Sequence, residues 1–307
     1  SLLPAHGYPS LEEALRAVTR TGQALRKPGE LPPSLTPLVI GITGYGRVAH
    51  GAAEILSALS PEKLPPASLL ESPFPGGLAA GLAPGAPGAP VVQVMFREED
   101  TVEPCGKGVF TLPDYLAHPE RYRSRFSRYL PFLHVMVNCV YWEPRFPRLV
   151  TNDYLRHLYA GPAPNLRVIG DISCDIEGSV QATVRFTTPD DPVFVYDPAT
   201  GKTAPGVAGK GPVILAVDNL PCEVARDSSQ EFSSRLKAWV PALARADLTR
   251  PLEKSGLPPC LQRAMIAYHG KLTPPFAYLE KPLADVPLPT PLPPAPGRAK
   301  GRKPKKA

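Results

Sequence analysis

The stretch "LVIGITGYGRVAHGAAEIL", Leu38 to Leu56, is the part of the sequence that decides the fold. Residues 38–43 are apolar apart from Gly41 and Thr43, the pattern of a strand buried on both faces of a parallel sheet. A glycine cluster and an alanine-rich segment follow. The stretch therefore predicts a strand, a tight turn and a helix, the first unit of an α/β domain.

The glycine turn fits the dinucleotide fingerprint, with Ala49 in the third glycine's place. Gly44 permits the tight turn, and Gly46 lets the main chain approach a pyrophosphate at the helix N-terminus. Ala49 and Gly51 allow the helix to pack close to the strand, and Arg47 is free to face a ligand. A turn with only a structural role remains the alternative.

An acidic residue about 20 positions further on binds the ribose 2′-hydroxyl in NAD sites. We expect the second strand to end near "EKLPPAS", where Pro65, Pro66 and Ala67 stand and no acid follows. This removes a preference for NAD and leaves room for the 2′-phosphate of NADP. A site that has lost its function is the other explanation, and the sequence does not separate the two.

Further short apolar runs predict the remaining strands of the sheet. They are Val91–Phe96, His134–Val140, Arg167–Ile172 and Val213–Val217. Segments long enough for crossover helices, such as Leu112–Tyr129, separate several of them, so the sequence predicts a doubly wound, Rossmann-type parallel sheet. "QATVRFTT" and "PVFVYD", on either side of Pro189-Asp190-Asp191, predict a small hairpin added to it.

Two helices are predicted outside the sheet. Ser10 and Glu13 form a capping box that starts a helix reaching about Arg26. A second helix is expected from Asp227, with apolar residues from Phe232 to Leu243 at helical spacing on one face.

The predicted organisation has four parts. A leading helix occupies residues 1–30, and a Rossmann-type dinucleotide-binding domain occupies residues 31–227. A Gly/Ala/Pro-rich insertion at 75–90 is expected to be disordered. A C-terminal helical segment covers 228–280, and a Pro-rich linker with a basic tail covers 281–307.

Composition excludes several classes of protein. The net charge is +6, and the six Lys and Arg residues within 298–306 account for all of it, so no nucleic-acid-binding face is predicted on the folded part. The five cysteines are widely spaced and form no C-x-x-C pair, which argues against a metal site or a disulfide framework. No apolar run reaches the roughly 18 residues of a membrane span, so no membrane partner is expected.

Five further stretches, in order along the chain, carry a resemblance to a known family. They are "DYLAHPERYRSRF" (Asp114–Phe126), "VNCVYWEPRFPRLVT" (Val137–Thr151), "GDISCDIEGSV" (Gly170–Val180), "VDNLPCEVARDSSQEF" (Val217–Phe232) and "LTRPLEKSGLPPCLQRAMIAYHGKL" near the end. With the glycine turn they resemble the lysine-ketoglutarate reductase region of aminoadipic semialdehyde synthase, in the saccharopine dehydrogenase and alanine dehydrogenase group. The resemblance covers about Ser10 to Leu279.

The resemblance implies an oxidoreductase of lysine degradation. In that family lysine and 2-oxoglutarate condense to an imine, and NADPH reduces it to saccharopine. The family's Rossmann domain is inserted within a second domain, with the active site in the cleft between them. The C-terminal helical segment here would return toward that second domain. The resemblance also implies a mitochondrial location, with a cytoplasmic one as the alternative, and leaves open a homo-oligomer.

The resemblance assigns the cofactor site to the glycine turn and to the ends of neighbouring strands, where open α/β sheets bind ligands. The candidate cofactor-binding residues are Gly44, Gly46, Arg47, Val48, Cys139, Val140, Asp171, Ile172, Ser173, Val217, Asp218, Asn219 and Leu220. Purely structural roles remain the alternatives: Asp171 and Asp175 as loop caps, and Cys139 and Cys174 as small core residues.

The family's catalytic Lys and His belong to its N-terminal half, which would precede Ser1, and no catalytic residue is assigned here. We expect this chain alone to bind NADPH without turning over lysine, because proton transfer needs a positioned acid and base. The chain begins without Met, and Gln181 stands where the family commonly has an acid. The alternatives are a non-catalytic NADP(H)-binding module and a scaffold with an unused pocket.

Overall fold

A computed structural model describes residues 2–27, 29–71, 90–161 and 164–284. The chain divides into two compact units, the first Ser1–Gln230 and the second beginning at Glu231. The four-part organisation predicted from the sequence remains a prediction. Residues 75–89 of the insertion and nearly all of the tail fall outside the described residues.

The first unit is built on an eight-stranded sheet with helices between its strands. The strands of this unit are β1 (Leu38–Thr43), β2 (Glu62–Leu64), β3 (Val91–Phe96), β4 (Val102–Pro104), β5 (Tyr122–Ser124), β6 (Val135–Asn138), β7 (Val168–Asp171), β8 (Val193–Tyr196), β9 (Thr203–Pro205) and β10 (Val213–Leu215). The helices are α1 (Leu11–Leu25), α2 (Arg47–Ser57), α3 (Ser68–Glu71), α4 (Glu98–Thr101), α5 (Leu112–Ala117), α6 (Asn152–Ala160) and the beginning of α7 (Ala225–Lys237).

The order of strands across the large sheet is β2-β3-β1-β6-β7-β10-β8-β9. The first six strands are parallel, and β8 and β9 are antiparallel additions at one edge. The chain leaves β1 in one direction toward β3 and returns on the other side to β6. This confirms the prediction of an α/β, doubly wound, Rossmann-type sheet, and the reversal beside β1 is where such sheets bind ligands.

The buried core lies along the central strands. Five of the six residues of β1 and five of the six of β3 are buried, as expected for strands covered on both faces. Phe96, Phe126 and Tyr129 pack ring against ring beside this core, with centroids 4.9 to 6.1 Å apart. A smaller cluster of Val102, Tyr115, Tyr122 and Phe146 lies apart from it.

The predictions of α1 and of the helix after the glycine turn, α2, were correct, and the others differ in detail. The Ser10 side chain caps α1 by accepting a hydrogen bond from the Glu13 amide at 3.3 Å. In place of one crossover helix over Leu112–Tyr129, the chain forms the short α5, then β5, and two 3-10 turns. Pro119 lies in the first of these turns and Pro131 in a third turn that follows them, Leu130–Phe132, and both residues interrupt helical hydrogen bonding. The second predicted helix starts at Ala225, two residues before Asp227.

Only the second of the two strands predicted for the hairpin forms. Residues 181–188 form no strand, and β8 pairs instead with β9 at Val195↔Ala204 and with β10 at Val195↔Val213. Ala182 and Thr183, two consecutive residues of "QATVRFTT", are both fully buried in a turn, whereas a half-buried strand would bury only one of them. A hairpin is still added to the parallel sheet, but residues 197–202 form its turn.

The second strand forms where the sequence predicts it, but it does not lie beside β1. A strand does form at "EKL", but β2 is the edge of the sheet, and β3 is the strand beside β1. Leu38 pairs with Val91 and Thr43 with Phe96, so the residue that follows the neighbouring strand is Arg97. The residue expected near the ribose 2′ position therefore follows β3, and the lack of an acid near Pro65 says nothing about cofactor preference.

The second unit consists of short elements. They are the end of α7, then α8 (Val240–Arg245), α9 (Pro259–Ala264), β11 (Ala267–Tyr268), β12 (Lys271–Leu272) and α10 (Glu280–Ala284). The four residues of the apolar face predicted for this segment are exposed: Phe232, Leu236, Trp239 and Leu243. No helix in the described part of the chain is both long and apolar enough to span a membrane.

Candidate dinucleotide site

A cleft of about 620 Å³ opens at the carboxyl ends of the parallel strands. Its volume falls within the range of roughly 300 to 1,000 Å³ that is usual for small-molecule sites. The glycine turn after β1 forms one side. Residues after β3, β6 and β7 line the rest, together with an aromatic wall of Tyr115, Trp142 and Phe146. The cleft therefore lies where the chain reverses direction beside β1.

The glycine turn has the backbone geometry that its sequence predicts. Gly44 has a φ of +91°, which L residues other than glycine adopt only with strain, and its amide donates to the Phe96 carbonyl at 2.9 Å. Gly46 is the N-cap of α2, and no atom lies within 4 Å of where its Cβ would stand. The main chain at Gly46 thus faces open space at the start of a helix, a position suited to an anion.

The other small residues of α2 differ in their surroundings. Ala49 is fully buried, which fits its predicted packing on the strand. Gly51 is exposed, and a Cβ there would meet nothing within 4 Å, so its predicted part in close packing is wrong. Arg47 and Val48 are exposed at the first turn of α2 and line the cleft.

A buried polar network joins the strand ends beneath the cleft. Thr43 donates to Asn138 at 2.8 Å, and Asn138 donates to Asp171 at 2.8 Å. The Asp171 carboxylate also accepts from the Thr183 hydroxyl at 2.6 Å and from the Cys174 amide at 3.1 Å. The network fixes the relative positions of β1, β6 and β7, and hence of the loops that line the cleft.

Burial governs the protonation of the groups near the cleft floor. Burial raises the pKa of Asp171 above its usual value, although hydrogen bonds from Thr183, Asn138 and the Cys174 amide lower it in part. Burial, followed by the charge of Asp171, raises the pKa of the Cys139 thiol to about 11. Cys139 is therefore a neutral thiol near pH 7 and a poor nucleophile.

Eight of the thirteen predicted site residues line the cleft together. They are Gly44, Gly46, Arg47, Val48, Cys139, Val140, Ile172 and Ser173. Ser173 is also held in place, because its hydroxyl donates to the Val140 carbonyl. Five do not line it. Asp171 is buried below it, and Val217, Asp218, Asn219 and Leu220 follow β10, two strands beyond β6.

The residues after β10 have a different setting. Val217 is buried and bridges Thr187 in parallel, whereas Asp218 and Asn219 are exposed at the start of a 3-10 turn. Their contact with a cofactor stays a prediction, as does the contact of Asp171.

The sequence did not predict Arg97 or most of the aromatic wall as part of the site. Arg97 and Tyr45 line the cleft, and the Arg97 guanidinium carbon lies 5.0 Å from the centroid of the Tyr45 ring. Arg97 directly follows the buried run Val91–Phe96, and this signal would have identified it had β3 been taken as the neighbour of β1. Trp142 lines the cleft, and the neighbouring Glu143 pairs with Arg145 at 2.9 Å.

The lining of the cleft limits its chemistry. Among the described residues that line it, none is a lysine or histidine, and no group of three His, Cys, Asp or Glu side chains in the described part of the chain could hold a metal ion. The arrangement offers main-chain amides, two arginines and apolar walls. These are groups that bind a phosphate-bearing, partly aromatic ligand.

Comparison with known proteins gives a consistent set of relatives. Residues 125–275 match the family described as alanine dehydrogenase/PNT, C-terminal domain. An alpha-aminoadipic semialdehyde synthase of Arabidopsis thaliana is 36% identical over 291 residues, 92% of this chain and 26% of that protein. The mitochondrial alpha-aminoadipic semialdehyde synthase of Bos taurus is 31% identical, over 90% of this chain and 30% of that protein.

More distant matches cover less of the chain or are less similar. A saccharopine dehydrogenase (NAD(+), L-lysine-forming) of Schizosaccharomyces pombe is 30% identical over 37% of this chain and 28% of that protein. A solved L-alanine dehydrogenase covers 88% of this chain and 62% of that chain, with 16% identity and a TM-score of 0.45. The chain spans between a quarter and a third of the length of the alpha-aminoadipic semialdehyde synthases that it matches.

Proposed function

Since this chain is related to the alpha-aminoadipic semialdehyde synthases over nine tenths of its length and carries an alanine dehydrogenase/PNT C-terminal domain, we propose that it is the dinucleotide-binding part of an oxidoreductase of lysine catabolism. The observation that carries this proposal is the open main chain at Gly46, at the mouth of the cleft beside the reversal of the sheet.

The residues present fit a nicotinamide dinucleotide. The amides at the start of α2 would hold the pyrophosphate, and the absence of a side chain on Gly46 leaves the space for it. Arg47 extends from the same turn as a positive charge. Val140, Ile172 and Ser173 supply a mixed surface of the kind that a ribose and a flat ring require.

The reaction that we propose is the one that the names of the relatives imply, the alpha-aminoadipic semialdehyde synthases and the saccharopine dehydrogenase. The ε-amine of lysine condenses with the ketone of 2-oxoglutarate, water leaves, and the imine is reduced to saccharopine. NADPH, when bound, supplies the hydride for that reduction, and one proton is taken up at the nitrogen. The chain's own contribution is to bind and orient the dinucleotide, and the aromatic wall of Tyr115, Trp142 and Phe146 limits the access of water.

The proton transfers of this reaction need another group. Cys139, with its pKa raised to about 11, is not a base near neutral pH, and the described cleft residues include no lysine or histidine. The same observation favours a second candidate function, a non-catalytic NADP(H)-binding module. We propose lysine, 2-oxoglutarate and saccharopine as ligands of the whole enzyme. We also propose a mitochondrial location, because the mammalian relatives are named mitochondrial.

Two measurements on the purified chain test the proposal. NADPH and NADH are titrated by the fluorescence of the reduced nicotinamide, and NADPH oxidation is then followed with lysine and 2-oxoglutarate present. Binding without turnover is expected both for the dinucleotide-binding part of an enzyme and for the non-catalytic module, because the described residues of the cleft offer neither a lysine nor a histidine as acid and base. Binding with turnover would support an enzyme and rule out the non-catalytic module. No binding of either cofactor up to millimolar concentration would refute both and leave a scaffold with an unused pocket.

A further inference from the structure

We infer that Arg97 is the residue that selects NADP(H) by receiving its 2′-phosphate, and that the ring of Tyr45 holds the guanidinium in place for this contact. The inference rests on the proposed dinucleotide site and deepens it. It assigns cofactor specificity to two residues outside the set predicted from the sequence.

The position of Arg97 in the sheet is the first argument. It directly follows β3, and β3 pairs with β1 from Leu38↔Val91 to Thr43↔Phe96. In doubly wound sheets the residue at the end of the strand beside β1 is the one that reaches the ribose 2′ position, when the pyrophosphate lies on the glycine turn. The backbone at Arg97 is fixed as well, because its amide donates to the Asp100 carboxylate at 2.9 Å.

The contact with Tyr45 is the second argument. Tyr45 lies between the two glycines of the turn, and its ring centroid is 5.0 Å from the guanidinium carbon of Arg97. Both side chains line the cleft. A guanidinium over an aromatic face is attracted by the ring and loses conformational freedom. The N–H groups at the edge of the guanidinium plane remain available for hydrogen bonds. Tyr45 thus acts as a positioning residue for the cation.

The charge of Arg97 is available to a ligand. Arg97 is exposed, and among the salt bridges of the described residues none includes its guanidinium. A planar guanidinium with free donors matches the geometry of a phosphate and can bind two of its oxygens at once. A ribose 2′-hydroxyl offers no such charge.

Glu98 is the competing residue, because a carboxylate at this strand end would accept a hydrogen bond from the 2′-hydroxyl of NAD(H). Its Oε2 atom is buried and has no hydrogen-bond partner among the described residues. However, Glu98 shares a side-chain hydrogen bond with Tyr45, and its negative charge is the main cause that raises the pKa of Tyr45. Glu98 therefore acts on Tyr45, and Arg97 is left as the exposed charge.

The test compares cofactor preference in the parent chain and in Arg97→Ala. The dissociation constants of NADPH and NADH are measured by nicotinamide fluorescence, and circular dichroism checks the fold. We expect Arg97→Ala to weaken NADPH binding by about tenfold or more, the loss of a charge-assisted hydrogen bond, and to leave NADH binding nearly unchanged. Arg185→Ala is the matched control, because Arg185 also stacks on a ring, that of Phe194 at 4.7 Å, but does not line the cleft.

Two further variants separate the roles of the neighbours. Tyr45→Phe keeps the ring and should keep the preference for NADPH, whereas Tyr45→Leu should reduce it. The inference is overturned if Arg97→Ala weakens NADPH and NADH equally, or if the parent prefers NADH and loses that preference in Glu98→Gln. A parent chain that binds neither cofactor would instead refute the proposed function itself, and with it this inference.

Discussion

A Cβ atom on Gly44 would stand 3.0 Å from the carbonyl oxygen of Cys139. The end of β1 and the end of β6 approach each other so closely that only glycine fits between them without a shift. On the opposite side of the same turn, Gly46 faces open space. Gly44 is therefore required by the backbone packing of the fold, whereas Gly46 keeps space open for a ligand. Substitutions at the two positions should separate an effect on stability from an effect on binding.

Gly44→Ala should destabilise the fold. The positive φ of 91° and the contact with the Cys139 carbonyl should together cost about 1 to 3 kcal/mol in the free energy of unfolding, measured by urea denaturation. Gly51→Ala is the control, because Gly51 is exposed in α2 with free space around it, and alanine there should stabilise by up to about 1 kcal/mol. Equal stability of the two variants would contradict this account.

Gly46→Val should abolish NADPH binding and leave the fold intact. The valine side chain would enter the open space at the N-cap of α2, where we place the pyrophosphate. The weaker cap should lower the melting temperature by about 4 °C or less. Gly106→Val, in an exposed turn that does not line the cleft and also has open space, should bind as the parent does. Equal affinity of Gly46→Val and the parent would refute the assigned role.

Asp218→Ala should weaken cofactor binding without unfolding the chain. Asp218 is exposed just beyond β10, so its removal leaves the core unchanged. The affinity for NADPH and the melting temperature of the variant are compared with those of the parent. A collapse of the melting temperature with intact affinity would make Asp218 a structural residue.

Asp171→Asn should destabilise the chain by about 1 to 3 kcal/mol near pH 7, because its amide nitrogen cannot accept from the donors that surround the carboxylate. The folded-state pKa of Asp171 is raised, so the folded parent holds a proton more readily than the unfolded chain. Its contribution to stability is therefore full below its usual pKa and is lost as the pH rises through the folded pKa. The difference between parent and variant should be largest in acid, and a difference that grows with pH would contradict this.

Cys139 should react slowly with iodoacetamide near neutral pH. With its pKa at about 11, roughly one thiol in ten thousand is ionised at pH 7. Peptide mass spectrometry should show a labelling rate at Cys139 that rises about tenfold per pH unit between pH 7 and 10. A rate that levels off below pH 9 would show that the thiol is more acidic than its surroundings imply.

The fold was largely predictable because its strands are short apolar runs that are buried on both faces. Both β1 and β3 were predicted with their observed bounds, and β6, β7 and β10 to within two residues at either end. The hairpin was misread because Ala182 and Thr183 are both buried and Thr183 donates to the Asp171 carboxylate, a contact that the local pattern does not show. Tertiary contacts decided that segment, and local pattern could not.

The site was predictable where one strand end carries its own signal. The glycine turn is such a signal, and Cys139, Val140, Ile172 and Ser173 follow from the strands before them. Arg97 was missed because its role depends on which strand lies beside β1, a fact of topology. The aromatic wall comes from residues on either side of β6, and Tyr115 and Phe146 meet only when the chain is folded.

The pairing of β3 with β1 has an evolutionary consequence. The register of the two strands brings residue 97 beside residue 45, although more than fifty residues of sequence separate them. Because we infer that Tyr45 positions Arg97, we expect these two positions to change together during evolution. A lineage that changes its coenzyme preference should then alter residues 45 and 97 and keep Gly44 and Gly46.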